Sequence, residues 1–183
     1  TAASARRRPA AIYGRIGCLE VRLARGRAEI RQAQRLRFDV FFDEMSAMPT
    51  VLARLRQRDQ DAFDADCDHL LVLDTATGRT VAPGWISRRK PLVVGTYRVL
   101  RQEVAERGPG FYTQSEFDVA PLIAARSTGH RFMELGRSCV LKQYRNKRTV
   151  ELLWQGLWTY VRERGVDVMI GCASFEGTDP EAH

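Results

Sequence analysis

A chain of 183 residues has room for one domain with a substantial core and is too short for two domains of ordinary size. Hydrophobic residues make up 44% of it and charged residues 28%, which is typical of a globular protein, and no apolar run is long enough to predict a membrane span. The formal net charge of +7 favours an acidic partner, which nucleic acid, anionic lipid or an acidic protein would each supply, although a GC-rich genome also produces an arginine-rich chain. The 4 cysteines are scattered and form no CxxC pair, so neither a zinc site nor a disulfide framework is indicated and a cytoplasmic location is expected.

The predicted elements begin after a flexible basic leader at residues 1–14, which is rich in Ala, Arg and Pro and shows no periodicity. Apolar alternation predicts strands, and apolar spacings of three and four predict amphipathic helices. In chain order we predict a strand at 16–23, a helix at 27–45, a short helix at 51–56, an acidic loop, strands at 69–73 and 92–100 with a turn at 75–80 and a loop at 83–91 between them, a short helix at 121–125, a strand at 132–141, a helix at 147–164 and a strand at 166–172.

Two of these helices carry apolar stripes that predict their buried faces. The stripe of the helix at 27–45 consists of Ala33, Leu36, Val40 and Phe41. The stripe of the helix at 147–164 consists of Val150, Leu153, Trp154, Leu157, Trp158 and Val161, and Gly165 is placed to cap that helix. The order of elements is α/β, and its closing strand-helix-strand unit implies a locally parallel pair of strands. Because the last predicted strand is buried and has no second neighbour, we expect the natural protein to continue beyond His183.

A basic loop between the strand at 132–141 and the helix at 147–164 predicts an anion site. Backbone N–H groups and the dipole of a helix N-terminus attract phosphate, and lysine and arginine strengthen the attraction. Cations are unfavourable at a helix N-terminus without an anion, so a bound phosphate explains them better than a solvated helix start, which is the alternative. The predicted contacts are Arg145, Asn146, Lys147, Arg148 and Thr149.

The strand, loop and helix together resemble the donor-binding motif of the GNAT acyltransferases, in which an R-x-x-G-x-G/A loop grips the pyrophosphate of acyl-CoA. The hexad at 145–150 keeps the arginine but has Arg148 and Val150 in place of the two glycines. Glycine allows a backbone to approach a pyrophosphate closely, so this departure favours a donor with a single phosphodiester, the 4′-phosphopantetheine of acyl carrier protein. The resemblance also implies that backbone N–H groups at Val140 and Leu141 contact the thioester oxygen, and that the chain holds no cofactor of its own.

Most of the chain also resembles the acyl-homoserine-lactone synthases, a GNAT-like group that uses acyl carrier protein. Their R-x-x-x-F, D-x-F-D, single-arginine and E-x-x-R landmarks occur here in the same order, as Arg37 with Phe41, Asp61 with Asp64, Arg98, and Glu134 with Arg137. The tryptophan that those enzymes carry after the first landmark is absent from the segment DEMSAMPT. The resemblance assigns Arg37, Phe41, Asp61 and Arg98 to the acceptor side of the site.

The most extensive resemblance is to the ornithine-lipid acyltransferases, often labelled hemolysin-like. It rests on the blocks RFDVFFDEM, FDADCDHLLVLD, VVGTYRVLR, FYTQSEFD, MELGRSCVLKQYRNKRTVELLWQGLW and GCASFEGTDP, and it runs from about residue 17 to the end. It implies a GNAT domain at 15–183 with a mixed central sheet flanked by helices and lacking its last strands. The implied reaction moves a 3-hydroxyacyl chain from acyl carrier protein to the α-amine of L-ornithine.

Amine acylation needs a base for the ammonium proton and a donor to the developing oxyanion. Glu134 is the expected base or amine-positioning residue, and Arg137 and Asp64 are expected beside it. Strict alternation puts Glu134 and Arg137 on opposite faces of a strand. The resemblance to the GNAT acyltransferases, whose sheets carry a bulge in this strand, implies a bulge near Gly136 that brings both to one side; a buried structural pair of Glu134 with Arg137 is the alternative. Asp61 and Asp64 are expected to meet the cationic amine, with a solvated loop as the alternative.

Three other functions are weighed against this one. A synthase of acyl-homoserine lactones would retain the early tryptophan and use S-adenosylmethionine. A nonenzymatic membrane-active protein would expose an apolar helix face, whereas the best helix here is predicted to bury its own. Nucleic-acid binding lacks a motif. We therefore expect a cytoplasmic acyltransferase, with peripheral contact to an anionic membrane as a further possibility.

Overall fold

The structure is a computed structural model and describes residues 11–45, 47–80, 89–126 and 129–173. Within these residues six strands form one sheet in sequential order, and every neighbouring pair is antiparallel except the last, β5–β6, which is parallel. The strands are β1 Ile12–Ile16, β2 Leu19–Leu23, β3 Asp68–Thr80, β4 Arg89–Arg101, β5 Phe132–Val140 and β6 Val168–Ile170. The helices are α1 Arg27–Phe38, α2 Val51–Arg56, α3 Gln102–Ala105, α4 Ala120–Arg126 and α5 Lys147–Arg164. The mixed sheet with flanking helices, and its parallel final pair, are as predicted.

The N-terminal part corrects two expectations. The single strand predicted at 16–23 is a hairpin of β1 and β2, which turns at Gly17 with a φ of 60°. Residues 12–14, which we assigned to the leader, belong to β1, and the first ten residues of that leader lie outside the described part of the chain. The turn predicted at 75–80 is also wrong, because β3 continues to Thr80. Much of the loop predicted at 83–91 lies outside the described residues, and its last residues begin β4.

The two faces of the sheet are covered by α1 and α5. Leu70 and Val72 of β3 pack in the cluster that includes α5, whereas Leu71 and Leu73 pack in the cluster that includes α1. This division follows from the alternation of side chains along a strand, and it explains why the run at 70–73 is apolar throughout. The helix predicted at 27–45 is confirmed as α1, which continues as a π-helical segment Asp39–Glu44.

The buried face of α5 differs from the predicted stripe. Val150, Trp154 and Trp158 are exposed, with the two indoles 49% and 57% accessible. The inward face instead comprises Thr149, Leu152, Leu153, Gly156, Leu157, Tyr160 and Val161. Gly156 decides the rotation, because a Cβ at this position would lie 2.4 Å from Cγ2 of Val21, so the helix approaches the sheet where it carries no side chain. A stripe chosen for hydrophobicity alone omits the glycine and the threonine.

The helix α2 has the exposed apolar face that the sequence analysis did not foresee. Met48, Val51, Leu52 and Leu55 follow helical spacing and are 91%, 84%, 60% and 80% exposed. Ala53 is the buried residue of this helix. We refer to these four side chains as the α2 stripe. Among the described helices, none is both long enough and apolar enough to cross a membrane.

Candidate functional site

The parallel strands β5 and β6 separate after a short paired stretch, and the candidate site lies where they separate. The register runs from Phe132 opposite Val168 to Glu134 opposite Ile170, where β6 ends, while β5 continues to Val140. Gly171 marks the last close approach, since a Cβ there would lie 2.6 Å from the carbonyl oxygen of Leu135. Beyond that point the outer edge of β5 has no strand partner among the described residues. We call this opening the β5 gap.

A bulge in β5 brings the predicted pair to one side of the sheet. Thr96 lies opposite Cys139 and Arg98 lies opposite Gly136, so two residues of β5 face one residue of β4. Arg137, the first of the two, has a φ of 52° in the left-handed region. The expected bulge is therefore confirmed, one residue after Gly136. Glu134 and Arg137 consequently line the same pocket.

The pocket lies between β4, β5, the segment after β6 and a 3-10 turn at Tyr112–Ser115. Its cavity volume is about 140 Å³. The predicted residues in its wall are Arg98, Glu134 and Arg137, and the residues that the sequence analysis missed are Cys67, Leu100, Tyr112, Glu116, Leu135, Gly136 and Cys172. Tyr112 and Glu116 belong to the block FYTQSEFD. The four-residue spacing of a tyrosine and a glutamate in this block was the sequence signal that could have identified them as pocket residues.

Glu134 is buried, and hydrogen bonds occupy both of its carboxylate oxygens. The backbone N–H of Tyr112 donates to Oε2 at 2.9 Å, while the N–H and hydroxyl of Thr113 donate to Oε1 at 2.5 and 2.6 Å. These donors are at the beginning of the 3-10 turn, so Glu134 anchors the turn against β5. The geometry thus argues against Glu134 as the base, and its structural role is to hold the turn rather than to form the Glu–Arg pair that was the alternative.

Asp61 and Asp64 are held in a network of ion pairs. Arg37 is fully buried and donates to both carboxylate oxygens of Asp64 at 2.9 and 2.8 Å. Arg98 lies 2.6 Å from Asp61 and 3.2 Å from Asp64. Burial raises the pKa of Asp64, but the hydrogen bonds and charges of Arg37, Gln34 and Arg98 outweigh it and lower the pKa to about 2.

This network has consequences for the predicted acceptor residues. Asp59, Asp61 and Asp64 share Arg37, Arg98 and Arg137, so these aspartates are paired within the protein rather than arranged as a solvated acidic patch. Arg37 is enclosed and Phe41 packs against the cluster beneath α1. Neither Arg37 nor Phe41 lines the pocket, so the prediction that these two residues lie on the acceptor side of the site is wrong.

His69 and Cys139 are two further ionisable side chains near the site. The Nε2 atom of His69 lies 3.1 Å from the carbonyl oxygen of Asp64, and burial lowers the pKa of the imidazole. Burial also raises the pKa of the Cys139 thiol to about 12. A neutral buried histidine and a buried thiol indicate structural roles for both side chains.

The predicted donor loop is ordered by its own side chains. Arg145 donates from Nε to the Val140 carbonyl oxygen at 2.8 Å, and it forms a two-pronged ion pair with Glu44. Asn146 caps α5, since its side-chain oxygen accepts from the N–H of Thr149 at 3.1 Å. Lys147 and Arg148 are exposed. Their N–H groups occupy the first two helical positions, where the helix supplies no acceptor.

Of the two backbone N–H groups predicted to contact the thioester oxygen, that of Leu141 is hydrogen-bonded within the sheet and that of Val140 faces out of it. The N–H of Leu141 donates to the Val94 carbonyl oxygen at 2.9 Å, so it is committed to the sheet and the prediction for Leu141 is corrected. The Val140 carbonyl accepts from Arg145 and therefore points away from β4. Because the N–H and C=O of one strand residue point to the same side, the Val140 N–H faces the β5 gap.

A family model described as an acetyltransferase (GNAT) domain matches residues 36–155. The chain belongs to the GNAT family. The match includes the end of α1, the arginines and aspartates of the ion-pair network, all pocket residues except Cys172 and the first part of α5, so the features described above lie in or beside the GNAT domain.

Among the relatives of this GNAT chain are proteins named L-ornithine N(alpha)-acyltransferase. The one from Agrobacterium fabrum is 55% identical over 172 residues, which is 94% of this chain and 56% of the relative. The one from Brucella abortus is 54% identical over 174 residues, which is 95% of this chain and 59% of the relative. The chain thus spans a little over half the length of these curated relatives.

Solved structures share the fold at low identity. An N-acyl amino acid synthase from uncultured soil microbes, FeeM, superposes with a TM-score of 0.51 at 14% identity and covers 82% of this chain and 70% of that one. The acyl-homoserine-lactone synthase LasI superposes with a TM-score of 0.50 at 15% identity and covers 84% of this chain and 71% of that one. Both likenesses support the GNAT fold of the chain.

Proposed function

We propose that this GNAT domain belongs to an enzyme that acylates the α-amine of L-ornithine. The observation that carries the proposal is the 55% identity, over 94% of this chain, to a relative named L-ornithine N(alpha)-acyltransferase. The geometry agrees with it, because a polar pocket adjoins the β5 gap, where a thioester would be within reach of an amine.

The reaction requires the lone pair of the neutral amine to attack the thioester carbonyl carbon. A C–N bond forms, the C–S bond breaks, the nitrogen loses a proton to a base, and the departing thiolate gains a proton. The Val140 N–H faces the gap and is suited to donate to the carbonyl oxygen as negative charge develops on it. The bulge at Arg137 keeps the pocket and the gap on neighbouring parts of β5.

We propose acyl carrier protein, loaded with a 3-hydroxy fatty acyl chain, as the donor. The hexad at 145–150 lacks the glycines that admit a pyrophosphate, and Arg145 is engaged with Glu44. Lys142, Lys147 and Arg148 are exposed around the start of α5 and form a basic surface, which we call the donor surface. Carrier proteins present an acidic helical surface and one phosphodiester, which such a cationic surface would attract.

We also propose peripheral contact with an anionic membrane on its cytoplasmic side, through the α2 stripe. Four exposed apolar side chains at helical spacing would enter the acyl boundary of a lipid layer, and Arg54 and Arg56 lie exposed on the same helix. The helix carries no acidic residue in its first turn. The product of such an acyltransferase is a lipid, and an enzyme bound at the membrane surface would release it directly into the membrane, where it is soluble.

The test of the ornithine proposal uses the full-length protein. It is incubated with 3-hydroxyacyl carrier protein, the matching acyl-CoA and a panel of amino acids and diamines, and the products are identified by mass spectrometry. We expect Nα-acyl-ornithine, formed faster from the carrier protein. Transfer to another amine with none to ornithine would refute the acceptor, and equal use of acyl-CoA would refute the donor.

A further inference from the structure

Two charged groups of the pocket remain available after the internal pairs are assigned. Glu134 is occupied by the 3-10 turn, and Arg98 is paired with Asp61 and Asp64. Glu116 is exposed at the rim of the pocket and has no ion pair with a lysine or arginine in the described ranges. Arg137 is the available cation.

Arg137 is only loosely held by the network. Its ion pairs with Asp59 and Asp61 are 3.4 and 3.5 Å long, its Nε is buried without a hydrogen-bond partner, and its side chain is 32% exposed. The guanidinium lies over the ring of Tyr112 with its carbon 5.7 Å from the ring centre. Arg137 also lines the pocket, and the planar fork of N–H groups of a guanidinium suits a carboxylate.

Glu116 is presented to the pocket by the turn that Glu134 anchors. Its N–H donates to the Thr113 carbonyl oxygen at 3.1 Å at the end of the turn, and Glu134 holds the beginning. The Glu116 carboxylate acts on the Tyr112 hydroxyl and raises the pKa of that tyrosine. Burial raises the pKa of the Cys172 thiol, on the segment after β6, and the charge of Glu116 raises it further.

We propose that Glu116 and Arg137 form the two poles of a site for an α-amino acid. Arg137 binds the α-carboxylate, and Glu116 accepts a hydrogen bond from the α-ammonium and takes its proton. A zwitterion needs one cation and one anion in the same site, and Arg137 and Glu116 line one pocket together with Tyr112. The inference rests on the proposed function and names the residues that select and deprotonate its amine.

The neighbourhood of the β5 gap makes this position suitable for reaction. Leu135, Gly136 and Cys172 belong to the pocket wall, and they flank the place where β5 and β6 separate. A Cβ at Gly136 would meet nothing within 4 Å, so the pocket is open beside this residue of its wall. An amine held by Glu116 is therefore adjacent to the edge of β5 on which the Val140 N–H lies. The exposed Glu116 carboxylate releases the ammonium proton to solvent before attack, and the second proton, lost from nitrogen as the C–N bond forms and the C–S bond breaks, passes to Glu116 and from it to the departing thiolate.

The first test compares Glu116→Gln with Glu103→Gln in the full-length enzyme, where Glu103 is an exposed carboxylate outside the pocket. We expect Glu116→Gln to lower kcat by about 100-fold, because a general base contributes at least that factor, and Glu103→Gln to leave it unchanged. Glu116→Asp should recover part of the loss. A Glu116→Gln enzyme with the kcat and KM of the wild type would overturn the assignment.

The second test changes the substrate and leaves the fold intact. L-ornithine is compared with its methyl ester and with putrescine, neither of which carries a carboxylate. With the wild type we expect kcat/KM to fall at least tenfold for both, and with Arg137→Lys the penalty for the ester should shrink. Equal use of ornithine and its ester would overturn the role of Arg137.

The two proposals fail in distinguishable ways. If the wild type acylates a different amino acid, the ornithine proposal fails and the Glu116 and Arg137 variants are assayed on that amino acid. If the wild type acylates ornithine, the Glu116 and Arg137 variants keep the wild-type rate and ornithine methyl ester is used as well as ornithine, the ornithine proposal stands and only the two-pole site is refuted.

Discussion

Glu134 and Glu116 are located at the two ends of one 3-10 turn, and their surroundings give them different tasks. The carboxylate of Glu134 is buried and occupied by three donors, whereas that of Glu116 is exposed and raises the pKa of the Tyr112 hydroxyl and of the Cys172 thiol. A general base needs a carboxylate oxygen that faces the substrate and is not already occupied by hydrogen-bond donors. Residue identity within the E-x-x-R landmark therefore does not reveal which glutamate is the base.

At the residue scale, we predict that Glu134→Gln destabilises the fold. A glutamine in this position turns an amide NH₂ toward one of the backbone donors, which leaves a buried N–H without an acceptor and costs about 1–3 kcal/mol. Urea unfolding of the variant, with Glu103→Gln as an exposed control, measures the loss. A variant that unfolds at the wild-type urea concentration but loses activity would instead assign Glu134 as the base.

The pair at Glu134 and Arg137 and the bulge between them were predicted from the resemblance to the GNAT acyltransferases, because alternation alone would put the two side chains on opposite faces of the strand. The sequence did not predict the partners of Asp61 and Asp64, since Arg37 and Arg98 approach them from elements far along the chain. Long-range ion pairs leave no periodic signal. The acidic run at 59–68 consequently resembled a solvated patch, although Asp59 and Asp64 are buried and paired and only part of the run, including Asp66, is exposed.

At the scale of elements, the contrast between α2 and α5 shows where sequence patterns are ambiguous. Both helices have apolar residues at spacings of three and four, and the pattern predicts a buried stripe in each case. In α5 the close approach of Gly156 to Val21 turns Trp154 and Trp158 outward. In α2 the stripe is exposed because only Ala53 faces the protein. Most helices and strands were predicted from local spacing, whereas rotation and partnership depend on the rest of the fold.

We predict that the α2 stripe supports binding to anionic vesicles. The double variant Leu52→Asp with Leu55→Asp removes two exposed apolar side chains and adds negative charge, so the bound fraction on phosphatidylglycerol vesicles should fall at least tenfold. Leu122→Asp, at an exposed position on α4, is the matched control. Sedimentation with vesicles measures binding, and circular dichroism checks the fold. Undiminished binding of the double variant would exclude this surface.

For the whole molecule, the net charge of +7 has an uneven distribution over the described surface. The buried arginines of the network are neutralised by aspartates, so they contribute little to an approaching partner. Lys142, Lys147 and Arg148 are exposed together at the start of α5. The donor surface is therefore where the excess positive charge can act at a distance.

We predict that reversing two charges of the donor surface impairs use of acyl carrier protein. The double variant Lys147→Glu with Arg148→Glu should lower kcat/KM for 3-hydroxyacyl carrier protein by at least tenfold, and the loss should decrease at high salt because screening weakens the interaction. Arg162→Glu, exposed at the other end of α5, is the control. Activity with the small donor 3-hydroxyacyl-pantetheine should be retained by both variants. An equal loss with the small donor would assign these cations to chemistry rather than docking.

The β5 bulge also constrains how this segment can change in length during evolution. Met133, Leu135 and Val140 all pack toward α5, although a regular strand would separate the third from the other two. Loss of Ser138 would remove the bulge, retain every charged residue of the pocket, and turn the Arg137 guanidinium toward the apolar layer beneath α5. Insertions and deletions between Glu134 and Val140 should therefore be rarer than substitutions, even at positions where the side chain itself is dispensable.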